Sequence, residues 1–144
     1  MTDESRERLV TQLVRHEGFK LRVYTCTAGK LTIGCGRNLE DRGITQAEAF
    51  YLLKNDIDMV LGQLTASFPW FVELDAVRQR VWCDLCFNVG IGKLYGFKKA
   101  IAAMAAGLHE VAASELEDSK WYTDVGPRRG DWVVEALRTG VEPE

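Results

Sequence analysis

His16-Glu-Gly-Phe-Lys-Leu-Arg-Val-Tyr-Thr-Cys-Thr-Ala-Gly-Lys-Leu-Thr-Ile-Gly-Cys-Gly36 is where the hydrophobic period of this chain changes. Before it, Leu9, Val10, Leu13 and Val14 recur at helical spacing, which predicts a helix over about 4–16. Thr2, Asp3 or Ser5 are its candidate caps, and Gly18 is a usual stop. Inside the stretch Leu21, Val23, Thr25 and Thr27 alternate, Ala28-Gly29 interrupts, and Leu31, Thr32 and Ile33 follow. That pattern predicts a β-hairpin or small sheet over about 19–38. Gly29, Gly34 and Gly36 mark turns or close backbone approach.

Downstream the helical period returns and stays. Thr45-Gln-Ala-Glu48 is a capping-box pattern. It opens a helix of about 45–67 carrying Leu52, Leu53, Ile57, Val60, Leu61 and Leu64 along one side. At ~1.5 Å per residue such a helix is about 34 Å long, enough to link two lobes. Asp75 is placed to cap a further helix to about Phe87, rich in Val77, Val81, Trp82, Leu85 and Cys86. Shorter helices are expected at 97–106, 109–118 and 127–138, separated by Gly96, Gly107 and Gly126-Pro127. The predicted class is therefore α+β. It is read as a single domain over 1–144: a β-lobe at about 17–44, the linking helix, and a helical lobe at about 70–144 packed with the N-terminal helix.

Bulk properties agree with one compact domain. The chain has 144 residues, 47% hydrophobic and 27% charged. It has no apolar run near 18 residues, so no stable membrane insertion is expected. The N-terminus Met-Thr-Asp-Glu-Ser-Arg-Glu-Arg lacks a hydrophobic signal core. Synthesis in a bacterial cytoplasm is expected, and action beyond the membrane would then need a separate release step. A net charge of −3 argues against a nucleic-acid binder. Charge is uneven, however: residues 76–110 carry a net +3 and residues 111–144 a net −4. Solvated helix faces account for this, as does a positive face meeting an anionic polymer.

The four cysteines are Cys26, Cys35, Cys83 and Cys86. Cytosolic synthesis argues against a disulfide framework. Cys83-x-x-Cys86 admits a redox or zinc reading, but its setting, Val81-Trp-Cys-Asp-Leu-Cys-Phe87, looks like a buried helix face. Core packing is the preferred reading. Cys35 stands in Gly-Cys-Gly rather than in a second close pair, which weakens a four-cysteine zinc site further.

Glu17, Cys26 and Thr32 follow the spacing Glu-x8-Cys-x5-Thr, an acid at a helix end and two polar groups on a hairpin. That arrangement suits a sugar-cleaving cleft. A carboxylate at a helix C-terminus meets the negative end of the macrodipole, and partial burial would raise its pKa toward that of a general acid. An exposed helix-end glutamate is the plain alternative. Cys26 would be largely neutral at pH 7 unless cations such as Lys20, Arg22 or Lys30 lower its pKa; otherwise it is a small buried residue. Thr32 is a hydroxyl near the site or simply a β-branched strand residue.

The same stretch resembles the signature of the phage-type lysozymes, glycoside hydrolase family 24: Glu-x8-Asp-x5-Thr, with Cys for Asp in some members. The His-Glu-Gly opening, an aromatic residue two before the middle position and Thr-Ile-Gly-x-Gly at the end also match. Further on, Arg80-Val-Trp-Cys-Asp-Leu-Cys-Phe-Asn-Val-Gly90 is similar to the family's central helix. Gly96-Phe97, Ser119-Lys-Trp-Tyr122 and Arg138-Thr-Gly140 are similar to later helices. The resemblance implies a lysozyme-like fold with a cleft between its lobes. It implies a muramidase that cuts the β-1,4 bond between N-acetylmuramic acid and N-acetylglucosamine in peptidoglycan. Glu17 would be the acid, with Cys26 and Thr32 positioning or activating water. Asn38, Phe87 and Asn88 would line the cleft, and Arg128 would pair with Glu17. Asn38 is also a good loop residue, and Arg128 also suits an exposed helix start. No metal or cofactor is implied, and a monomer released to the wall by a holin is the expected biology. The rivals are a catalytically weak or inactive peptidoglycan-binding module on the same fold, and a redox or metal protein built on Cys83 and Cys86.

Overall fold

The computed structural model describes all residues from Met1 to Glu144. The chain divides into two compact units, Met1–Tyr51 and Leu52–Glu144.

The first unit holds α1 (Asp3–Glu17), β1 (Lys20–Thr25), β2 (Leu31–Gly34), β3 (Arg37–Asn38) and the first turns of α2 (Gln46–Ser67). Of the three candidate caps Thr2 is used, its hydroxyl accepting the Ser5 N–H at 3.2 Å. Asp3 and Glu4 in the first turn and Arg15 and His16 in the last complement the helix dipole. The helix stops at Gly18, whose φ of 80° disfavours a side chain and whose N–H donates to Val14 O. The three strands form one antiparallel sheet in the order β1-β2-β3. β1 is irregular between Lys20 and Tyr24, then regular where Tyr24 faces Thr32. β3 adds only two residues, opposite Thr32 and Ile33.

The capping box forms as predicted. Thr45 Oγ1 accepts the Glu48 N–H at 3.2 Å, and Glu48 Oε2 accepts the Thr45 N–H at 2.9 Å. Glu48 also receives both Nη atoms of Arg37 at 2.7 Å, which ties β3 to the start of α2. The Arg37 bonds, followed by the Thr45 N–H, hold the Glu48 carboxyl down at about 2.

The second unit is helical. α2 continues into it, followed by a 3-10 turn at Phe71–Glu73 and by α3 (Ala76–Val89), α4 (Ile91–Leu94) and α5 (Lys98–Ala105). Three more helices complete it: α6 (His109–Glu117), α7 (Lys120–Val125) and α8 (Pro127–Thr139). Asp75 caps α3, accepting the Arg78 N–H at 2.9 Å. The core is continuous from Val60 and Leu64 of α2 through Val81, Trp82 and Leu85 of α3 to Val133 and Leu137 of α8. Trp82 lies at its centre, edge-on to Trp70 at 5.0 Å, with its indole N–H buried and unpartnered. Arg78 closes the far end of α8, donating to Leu137 O at 2.8 Å and Arg138 O at 3.0 Å. Gly130 is buried within α8, and a Cβ there would lie 2.9 Å from the Tyr122 ring.

The helix α4 was not expected, and α7 was indicated only by the resemblance of Ser119–Tyr122 to a later helix of the family. Four and six residues are too few to show a 3.6-residue period, and α7 owes its start to Ser119, whose hydroxyl accepts the Tyr122 N–H at 3.3 Å. All four cysteines are free. Cys86 is in the core and Cys83 packs half-buried against it. The fold is α+β, and no helix is long and apolar enough to cross a membrane.

Candidate active site

Thr32 is the middle of the sheet and of the candidate site. It faces Tyr24 on one side and Asn38 on the other, and only 3% of its surface is exposed. Cys26 follows β1 and opens the turn to β2. Its carbonyl accepts the Gly29 N–H at 2.9 Å, and its own N–H donates to Lys30 O at 2.9 Å. This wraps the turn around the half-buried sulfur. The backbone amide of Lys30, then that of Ala28, then the Thr32 hydroxyl hold the thiol below its ordinary pKa, against a smaller opposing effect of burial. Donors aimed at a sulfur favour the thiolate, which accepts hydrogen bonds better than the thiol.

One expectation is corrected here. The principal stabilisers of a Cys26 thiolate are these hydrogen-bond donors rather than lysine or arginine charges. Lys20 Nζ sits over the Tyr24 ring at 5.2 Å, and Lys30 Nζ pairs with Asp41 at 3.3 Å. Lys30 contributes its backbone. The Thr32 hydroxyl meanwhile donates to Lys30 O at 2.9 Å. A hydroxyl has one proton, so donation to that carbonyl and donation to the sulfur are alternatives reached by rotation.

Glu17 is the last residue of α1 and stays exposed on its own unit. Its carboxyl lies against Gly36, in the turn from β2 to β3: a Cβ built at Gly36 would be 3.0 Å from Glu17 Oε2. The sheet and its turns thus carry Cys26, Thr32 and the backbone beside Glu17 in one unit. The close approach read from the glycines is present at Gly36. The Arg37–Glu48 pair that anchors the next two strand residues was not foreseen; only the capping box hinted that Glu48 was occupied.

Asn38 is committed to its own loop. Its Nδ2 donates to Asp41 Oδ2 at 2.9 Å, and its Oδ1 accepts the Asp41 N–H at 3.0 Å. In the second unit Asn88 Oδ1 accepts the Trp121 indole N–H at 2.8 Å, joining α3 to α7. Its neighbour Phe87 is exposed and lines a groove of about 590 Å³ with Leu53, Ile57 and Leu61. Arg128, in the first turn of α8, has no ion pair within its unit and lines a second groove of about 600 Å³. Asp84 and Arg129 border both grooves.

Cys83 and Cys86 offer little reactivity. Burial first, then the neighbouring Cys86 and Asp84, push the Cys83 thiol up to about 11. Burial alone pushes Cys86 up. Neither unit gathers three or more His, Cys, Asp or Glu side chains that could hold a metal ion.

An "Endolysin" of Acyrthosiphon pisum secondary endosymbiont phage 1 is 29% identical over 119 residues, covering 80% of this chain and 77% of its own. "Probable T4-type lysozyme 2" of Dictyostelium discoideum is 24% identical, over 89% of this chain and 92% of its own. "Probable T4-type lysozyme 1" of the same organism is 23% identical, over 86% and 89%. Residues 14–138 match the family profile described as phage lysozyme, a span that runs from the last turns of α1 to the end of α8. Since that span takes in Glu17, Cys26, Thr32 and nearly every helix of the second unit, the chain is a member of the phage lysozyme family.

Proposed function

We propose that this protein is a muramidase, an endolysin that hydrolyses the β-1,4 bond between N-acetylmuramic acid and N-acetylglucosamine in bacterial peptidoglycan, with Glu17, Cys26 and Thr32 as its catalytic residues. Membership of the phage lysozyme family makes it a glycoside hydrolase acting on the cell wall. The observation that supports the residue assignment is that one small sheet brings the three together: Cys26 sits in the turn closed by its own N–H on Lys30 O, buried Thr32 pairs with Tyr24, two residues before Cys26, and the Glu17 carboxyl lies against Gly36 of the next turn.

In this reading Glu17 donates its proton to the glycosidic oxygen as the bond to the leaving sugar breaks. The Cys26 thiolate takes the second position of the carboxylate pair found in most glycosidases and accepts the proton of the attacking water. Thr32 orients that water, its hydroxyl turning between Lys30 O and the sulfur. Water attack from the face opposite the leaving group gives inversion. A thiolate is also a nucleophile, so direct attack with retention is the second reading, and the anomer first released separates the two. Phe87 and Asn88 are proposed to contact substrate, as is Asn38, and Arg128 to support Glu17. The protein is read as a cofactor-free monomer, made in the host cytoplasm and released to the wall by a holin.

The test is digestion of purified peptidoglycan with mass analysis of the fragments. Wild type is expected to release muramic-acid-ended disaccharide units. Glu17→Gln is expected to keep its thermal transition and lose about 10²-fold or more in rate, the worth of a general acid. Near-wild-type lysis by folded Glu17→Gln would remove Glu17 from the mechanism.

A further inference from the structure

We propose that Gly36 is a positioning residue for the general acid: the absent side chain at 36 is the seat of the Glu17 carboxyl. The inference rests on the reading of Glu17 as that acid. Five glycines between Gly18 and Gly43 have positive φ, so φ alone does not distinguish Gly36. Space does. A Cβ at Gly18, Gly29 or Gly34 would meet nothing within 4 Å, and one at Gly43 only a carbonyl of its own loop at 4.0 Å. A Cβ at Gly36 would lie 3.0 Å from Glu17 Oε2, 3.2 Å from Cδ and 3.3 Å from Cγ. Three atoms of one side chain therefore lie along a single glycine, so close that a methyl group there requires the carboxyl or the turn to give by a few tenths of an ångström.

Within its own unit no hydrogen bond or ion pair holds the Glu17 carboxyl. Glu17 ends a helix and Gly36 belongs to the turn from β2 to β3, so this contact sets the carboxyl beside the sheet that carries Cys26 and Thr32. A general acid works only within hydrogen-bond reach of the oxygen it protonates. A displacement of about 1 Å costs on the order of 10²-fold in rate, and one of a few tenths of an ångström correspondingly less. Adding one methyl at 36 displaces either the carboxyl or the turn, and both change that reach.

The experiment is a double-mutant cycle of Gly36→Ala with Glu17→Ala, read by thermal unfolding, beside the same cycle with Gly34→Ala. Gly34 shares the backbone requirement, at φ +67° against +74°, but has open space where its Cβ would be. Both alanines cost stability through φ. Only Gly36→Ala should cost less when Glu17 is already alanine, by roughly 2 °C or more in Tm. Lysis measured per folded molecule should fall by up to about 10-fold in Gly36→Ala, with an altered pH profile, and stay close to wild type in Gly34→Ala. If Gly36→Ala does not fold, its recovery in the Glu17→Ala background supports the proposal, and failure there too overturns it. Additive Tm losses, or equal activity and pH profile in the two glycine variants, also overturn it. Glu17→Gln separates the two levels: activity in that variant sinks the acid assignment, whereas an inactive Glu17→Gln beside a fully active Gly36→Ala sinks only the role of Gly36.

Discussion

At the scale of the residue, the proposed mechanism turns on Cys26, which stands where the resemblance puts an aspartate. Its thiol is held below the ordinary value chiefly by the neighbouring backbone amides of Lys30 and Ala28, which the fold places whatever residue follows β1. Cys26→Asp is therefore expected to remain active, because those donors serve a carboxylate of similar reach. Cys26→Ala is expected to be much weaker. The pH dependence should separate the active pair. Wild type loses its base as pH falls through the thiol's lowered value, whereas aspartate, with a reference pKa near 3.9, stays ionised to lower pH. The acidic limb of the lysis profile should thus move down in Cys26→Asp, and an unmoved limb would show that Cys26 is not the titrating base. Alkylation gives a second check. Cys35 is exposed, so the experiment belongs in a Cys35→Ser background. There a thiol reagent should inhibit wild type and spare Cys26→Asp. At this scale the sequence was informative about residue types and spacing: Glu17, Cys26 and Thr32 were picked out from it. It was silent on the donors, because a backbone amide looks the same at every position until a turn aims it.

At the scale of the element, the capping box shows how a local motif acquires a tertiary partner. Thr45 and Glu48 satisfy each other, as the four-residue pattern predicted, and Arg37 then adds two bonds from a strand that the pattern knows nothing of. The folded Glu48 carboxyl titrates at about 2, against an ordinary 4.5. A depressed carboxylate contributes stability that is full above its unfolded pKa and is lost as pH falls toward the folded value. Glu48→Gln keeps the acceptor oxygen for the Thr45 N–H and removes the charge. Its Tm is expected to lie below wild type at pH 7, with the gap closing between about pH 4.5 and 2. A gap that is constant across that window would mean the ion pair does not contribute. The six helices read from periodicity or capping all exist, with ends displaced by a residue or two. The one missed outright, α4, is four residues long and too short to show a period, although it places Leu94 in the core.

At the scale of the whole molecule, the large core lies in the second unit and takes in half of the Cys83-x-x-Cys86 motif. Cys86 contributes to the packing around Trp82, and Cys83 covers it from the edge. Replacing both with alanine is expected to cost about 1–3 kcal/mol, the range of modest core truncation, while lysis per folded molecule is retained. The raised Cys83 thiol adds an alkaline signature. Between its ordinary 9.0 and about 11 the folded state keeps a proton that the unfolded chain releases, so stability falls as pH rises through that window. Chemical denaturation at pH 7 and pH 10 checks both points, and loss of lysis in a folded double variant would return function to the pair. By itself the sequence determined the class of the fold, the order of its main elements and the spacing of its acid, thiol and hydroxyl, because these follow from local periods, caps and turns that neighbouring residues set among themselves. Only the tertiary structure decided which amides meet the Cys26 sulfur, that Arg37 reaches Glu48, that Asn38 and Asn88 spend hydrogen bonds on Asp41 and Trp121, and that Gly36 leaves room for Glu17. Each of these joins groups whose separation in space is fixed by the packing of several elements, and no local rule carries that distance.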